Sequence, residues 1–236
     1  HVGWHAIFWF LTAVGLVLLA ANWKVLPETL HDTHRQPFNL RHLVRGYWEL
    51  GSSARFLMLA LASGIPFNGM FLYVLSAPVF LGEHLGLPPG QFFWFFTLTI
   101  AGIMGGAWLS GRLAGRIKPR HQIRHGFLIM LVISLLNLGL NLAFKPEAWW
   151  ALLPLAVYSF GWALMVPVVT LMVLDLFPER RGMASSLQAF IGSVANGLVA
   201  GVIAPLVMHS TLALALASMV MMCVGLVAWL WVKPRL

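Results

Sequence analysis

Residues 182–232 run for 51 positions without an Asp, Glu, Lys or Arg. An unbroken helix over that stretch would be about 76 Å long at 1.5 Å per residue, more than twice the ~30 Å hydrocarbon core of a bilayer, so it must fold back. The fold-back is placed at residues 205–211, where His209 and Ser210 make a short polar turn. Five further charge-free stretches cover residues 1–23, 56–82, 84–111, 125–144 and 148–174. Together they predict seven spanning helices near 3–23, 56–81, 92–111, 125–144, 149–174, 184–207 and 212–232. A chain with 60% hydrophobic and 9% charged residues and a mean hydropathy of +0.84 has too little polar surface to cover a soluble core. The expected class is therefore an all-α integral membrane protein.

The net charge of +8 would suggest nucleic acid in a soluble protein, but its distribution points to membrane orientation. Lys24, Arg35, Arg41, Arg45 and Arg55 follow the first span, and Arg112, Arg116, Lys118, Arg120 and Arg124 follow the third. Arg180 and Arg181 follow the fifth, and Lys233 and Arg235 the seventh, whereas the opposite side holds Lys145 alone. Basic loops stay cytoplasmic, so the N-terminus is expected outside and the C-terminus inside, with no nucleic-acid partner.

Residues 1–23 lack a basic leading region and read as a true span rather than a cleaved signal. A chain that starts at His1 is expected to be a piece of a longer protein. Residues 24–55 form the one long hydrophilic connection. Within it, Asn39 can cap a helix whose Leu40, Leu43, Val44 and Tyr47 share a face and which Gly51 ends, an interfacial element on the inner leaflet. The expected organisation is a span at 1–23, a cytoplasmic loop at 24–55, six spans over 56–232 and a tail at 233–236.

Polar side chains inside lipid are costly unless they face a bundle interior or water, so they mark candidate paths. Asn68 shares a face with Phe71; Asn137 and Asn141 are i, i+4 neighbours, as are Tyr158 and Trp162; Gln188 and Asn196 lie in the sixth span. They can line a cavity for a mainly apolar, even cationic, organic molecule, or simply join helices by hydrogen bonds. Gly102/Gly106, Gly111/Gly115 and Gly197/Gly201 are GxxxG pairs that permit close helix approach. Pro66, Pro78, Pro154, Pro167 and Pro205 each permit a kink. These features fit ordinary packing or helices that rock between states. Asp175 and Glu83 fall near span ends, leaving no carboxylate deep in a span.

No metal site, cofactor or enzyme activity is expected. The i, i+4 pairs His1/His5 and His121/His125, and the closer pair His31/His34, lack a third ligand at a helical offset, and there is no HExxH, GxSxG or phosphate-binding glycine loop. Cys223 is the single cysteine.

Four stretches carry motifs of a known family. Residues 111–120, Gly-Arg-Leu-Ala-Gly-Arg-Ile-Lys-Pro-Arg, are similar to the loop pattern G-x-L-a-D-R-x-G-r-r, with Gly115 in place of its Asp and Lys118 in place of its second Gly. Pro178, Arg181, Gly182, Ala184 and Ser185 match a P-x-x-R-G-x-A-S segment, and Phe71, Tyr73 and Pro78 match an F-x-Y-x-x-x-x-P helix. The 26–30 segment, Leu-Pro-Glu-Thr-Leu, fits the end of the family's sixth helix.

Together these stretches resemble the major facilitator superfamily, and within it the Bcr/CflA-type multidrug efflux transporters. The resemblance implies helices six to twelve of a twelve-helix, proton-coupled exporter of drugs or other small organic molecules, working by alternating access in the bacterial inner membrane. Its partners would be lipid, a small organic substrate, protons and the N-terminal half of the transporter, without which the chain is not expected to transport. Asn68, Phe71, Tyr73, Asn137, Asn141, Tyr158, Trp162, Gln188 and Asn196 are the expected substrate path. Gly111, Arg112, Arg116, Asp175, Arg180, Arg181 and Gly182 are the expected cytoplasmic gate. A seven-helix receptor is the competing class, but the last span has no lysine for a retinal Schiff base and the third no acidic-Arg-aromatic triplet. A degenerate, non-transporting membrane protein is the other alternative.

Overall fold

In lipid a backbone N–H or C=O has no water to bond, so apolar segments of this length must close their hydrogen bonds internally as helices. The computed structural model describes residues 3–27 and 39–235, His42 by its backbone only, and they form helices joined by short turns. The helices are α1 (His5–Val25), α2 (Leu40–Gly51), α3 (Ala54–Leu75), α4 (Phe93–Leu113) and α5 (Pro119–Ala143). They continue with α6 (Ala148–Ala151), α7 (Leu153–Asp175), α8 (Arg181–Leu198), α9 (Ala204–Val207) and α10 (Thr211–Val232). Seven helical segments among the described residues are long and apolar enough to cross a membrane, and they coincide with the seven expected spans. Glu28 to Leu30, His31, His34, Pro37 and His1 lie outside the described residues, so readings that rest on them have no structural counterpart.

Two units are resolved, divided between Leu40 and Arg41. In the first, α1 buries none of its side chains. In the second, α7 packs against α3, α4, α5 and α8, and α10 packs against α3 and α5. One core cluster joins Phe56, Phe127, Met165 and Trp229; another joins Tyr73, Phe95, Trp150 and Leu214.

Local chemistry sets the ends. Ser53 opens α3 by accepting from the Phe56 amide at 3.4 Å. Ser210, in the expected polar turn, opens α10 by accepting from the Ala213 amide at 3.3 Å. Between α4 and α5, Gly115 adopts φ +74°, so the position where the loop pattern has Asp is here a left-handed turn residue.

The prolines divide by position. Pro66 and Pro167 lie inside α3 and α7. Pro78 begins a π-helical segment (Pro78–His84), and Pro205 follows a second one (Val199–Ile203). Pro154 sits in the first turn of α7, where the missing N–H has no helical partner to lose, so it starts a helix rather than kinking one.

The glycine pairs divide as well. A Cβ on Gly102 or Gly106 would run into the backbone carbonyls of Ala156 or Phe160, so α4 and α7 touch backbone to backbone there. At Gly111, Gly115, Gly197 and Gly201 a Cβ would meet nothing within 4 Å. A further close crossing joins Gly126 of α5 and Gly161 of α7, where a Cβ on Gly126 would lie 2.7 Å from the Gly161 oxygen. No sequence spacing marks that pair, because its members are on different helices.

Candidate functional site

Ser63, in the middle of α3, is the hub of the main polar cluster. Its hydroxyl donates to the Ala60 carbonyl at 3.0 Å and accepts from Gln188 Nε2 of α8 at 3.0 Å. Its carbonyl accepts from Trp162 Nε1 of α7 at 2.9 Å. Gln188 Nε2 also reaches Thr170 Oγ1 at 3.4 Å. Three helices thus converge on one buried serine, and beside it opens a cavity of about 370 Å³ lined by Ser63, Phe67, Trp162, Gln188, Ser193 and Asn196 among others. Phe67 lies 5.0 Å from Trp162 and stacks on Phe71 at 5.4 Å, so the lining combines aromatic rings with the amides of Gln188 and Asn196 and the hydroxyls of Ser63 and Ser193.

Of the expected path residues, Trp162, Gln188 and Asn196 line this cavity and Phe71 extends its aromatic wall. The others are placed elsewhere. Asn137 of α5 donates to the Tyr73 hydroxyl of α3 at 3.1 Å, and Asn141 donates back to Asn137 Oδ1 at 3.1 Å and to its carbonyl at 2.8 Å. Tyr158 donates to the Pro66 carbonyl at 2.7 Å, in the space that Gly69 leaves open: a Cβ there would lie 2.5 Å from its hydroxyl. The Asn137–Tyr73 and Tyr158–Pro66 bonds therefore tie α3 to α5 and α7, while Asn141 supports Asn137 within α5. Asn68 is fully buried, donates to the Gly64 carbonyl at 3.2 Å, and lines a separate apolar cavity of about 490 Å³ with residues of α8 and α10.

Ser63, Phe67 and Thr170 were not singled out from sequence. The i, i+4 spacing of Phe67 and Phe71 was the available signal for Phe67. Ser63 and Thr170 carry none, since one small hydroxyl in an apolar helix usually bonds its own turn.

The charged end is organised by α2. Its buried side is Gly46 and Leu50, flanked by half-buried Leu43; the other members of the expected stripe, Leu40, Val44 and Tyr47, are exposed. Gly46 lies against Met183, and Tyr47 shares a 2.8 Å hydrogen bond with Ser186. Leu40, Val44 and Trp48 are left exposed. Arg180 pairs with Glu49 at 2.5 Å, Arg45 with Glu49 at 3.0 Å, and Arg181 with Asp175 at 2.8 Å. The two arginines hold the Glu49 carboxyl below the ordinary carboxylate value of 4.5.

The other expected gate residues stand apart from those pairs. Arg112 lies 4.8 Å over the Trp108 ring, Arg116 is exposed beyond α4, and Gly111 and Gly182 are exposed with open space beside them. Glu49 is the member that the sequence reading missed; its i, i+4 spacing from Arg45 was the signal.

The Major Facilitator Superfamily model matches residues 1–200. The chain is 26% identical over 211 residues to a bicyclomycin resistance protein homolog of Haemophilus influenzae, covering 84% of this chain and 50% of that one. It is 26% identical over 244 residues to multidrug resistance protein D of Escherichia coli K12, covering 99% of this chain and 58% of that one. A multidrug resistance protein MdtM of Escherichia coli O157:H7 is 25% identical over 174 residues, with 71% and 41% covered. The chain thus spans about half the length of the curated relatives it matches. With a family match over most of its length and seven helices fit to span a bilayer, this chain is a multi-pass membrane protein and belongs to the major facilitator superfamily.

Proposed function

We propose that the chain forms part of a proton-coupled exporter of small organic molecules and that the α3/α7/α8 cavity is its share of the substrate path. The observation that carries this reading is the cavity itself, lined both by the aromatic rings of Phe67 and Trp162 and by the amides of Gln188 and Asn196. A planar, largely apolar molecule, cationic or neutral, is held by stacking and a few hydrogen bonds in such a place. Two relatives named for multidrug resistance and one for bicyclomycin resistance agree with that class of cargo.

In this reading the cavity faces a second set of helices, those of the half of the relatives that this chain does not match, and alternating access rocks one set against the other. Among the described residues the acids of this chain lie at helix ends or outside the spans, so a proton-carrying carboxylate belongs to that other half. The basic ends face the cytoplasm in the bacterial inner membrane, and the Glu49–Arg180 and Asp175–Arg181 pairs form this chain's share of the inner gate.

Binding of ethidium to the purified chain, read by fluorescence polarisation, tests the site. Saturable binding that weakens at least tenfold in Trp162→Ala supports the proposal. Equal affinity in Trp162→Ala and wild type would sink it. Drug efflux from an efflux-deficient cell expressing this chain alone would overturn the need for a second half.

A further inference from the structure

At their charged ends, antiparallel helices α5 and α10 enclose a groove of about 240 Å³ on the outer surface of the bundle. Its mouth carries Arg124 and Lys233, both exposed. Its floor is Phe127 and Trp229, each 2% exposed, and its rims are Leu128 and Leu230, each about half exposed. Leu131 and Leu226 close the inner end. From residue 124 to 131 the groove runs about 10 Å along α5, away from the cations and into the span. Among the described residues that line it, none is acidic.

Two positive charges above a dry apolar slot form a divided chemistry. A free anion would satisfy the mouth and leave the slot empty, while a neutral lipid would fill the slot and leave the cations unmatched. We propose that this groove binds one anionic phospholipid, its phosphate between Arg124 and Lys233 and the upper part of one acyl chain over Phe127 and Trp229. The site lies on α5 and α10, apart from the α3/α7/α8 cavity, and does not depend on what that cavity carries.

The test is titration of the purified chain in detergent with phosphatidylglycerol, read by thermal midpoint and by native mass spectrometry. Phosphatidylcholine of the same chains and inorganic phosphate are the comparison probes. Phosphatidylglycerol should bind saturably, phosphatidylcholine and phosphate should not, and Arg124→Gln/Lys233→Gln should weaken phosphatidylglycerol by about thirtyfold. Arg55→Gln/Arg116→Gln removes the same charge elsewhere and should change affinity less than threefold. Equal binding of the two lipids, an equal effect of phosphate alone, or equal loss in both double variants would each overturn the proposal.

Discussion

Glu49 and Arg180 are 131 residues apart in sequence and 2.5 Å apart in the structure, where they fasten α2 to the foot of α8. Arg45, one turn before Glu49, shares the same carboxylate. The pair links the segment between the first two spans to the loop before the sixth, so a change in one is felt at the other.

Because its folded-state pKa is depressed below 4.5, Glu49 contributes stability that is present above that value and lost as pH falls through the lower folded value. Leu50, fully buried beside it, reports the docking of α2. In a Cys223→Ser background, Leu50→Cys should react slowly with a pyridyl disulfide at neutral pH and faster on acidification. Adding Glu49→Gln should give the fast rate at both; a rate independent of pH in both variants would contradict the assignment.

Gly106→Ala places a methyl group against the Phe160 backbone and should destabilise the fold by about 1–3 kcal/mol or more, since backbone cannot repack. Gly201→Ala, with open space around it, should be neutral within about 0.5 kcal/mol. Unfolding in mixed micelles with increasing dodecyl sulfate measures both.

Gln188→Leu should weaken ethidium binding about tenfold through loss of the amide from the cavity wall. Ser63→Ala, which removes one of two contacts to Gln188 Nε2, should weaken it only two- to threefold, matching about 0.6 kcal/mol for a hydrogen bond within a membrane bundle. Unchanged affinity in both would remove Gln188 from the path.

Asn137→Leu breaks the bond to the Tyr73 hydroxyl between α5 and α3 and should cost about 0.6–1.7 kcal/mol of stability. Ethidium affinity should stay within twofold, because this pair is outside the cavity lining. A large affinity loss with normal stability would place Asn137 on the path instead.

Orientation is open to direct labelling in intact cells. In a Cys223→Ser background, Lys145→Cys should react with a membrane-impermeant maleimide and Lys118→Cys should not until the membrane is permeabilised. The reverse pattern would invert the topology.

The number and approximate position of the spans were legible from sequence alone, but not every end: α3 stops at Leu75 where 81 was expected, and α5 begins at Pro119 where 125 was expected. Lipid offers the backbone no hydrogen-bond partner, so any long charge-free segment must be a helix, but the helix can run on past the first basic residues, as α5 does through Arg120 and Arg124. The inner face of each helix was not legible. In a soluble helix the buried side is marked by apolar residues, but here Trp229, packed inside, and Leu230, turned outward, both meet an apolar environment. The same degeneracy made Gly197 and Gly201 look like Gly102 and Gly106, and Asn137 look like Gln188. Even on α2, outside the spans, apolar periodicity chose Leu40 and Val44 over Gly46 and Leu50, because a glycine that admits Met183 carries no hydropathy signal. The sequence determined a seven-span membrane chain; only tertiary packing, through backbone clearances and donor–acceptor geometry, decided which of its polar residues face a cavity and which hold helices together.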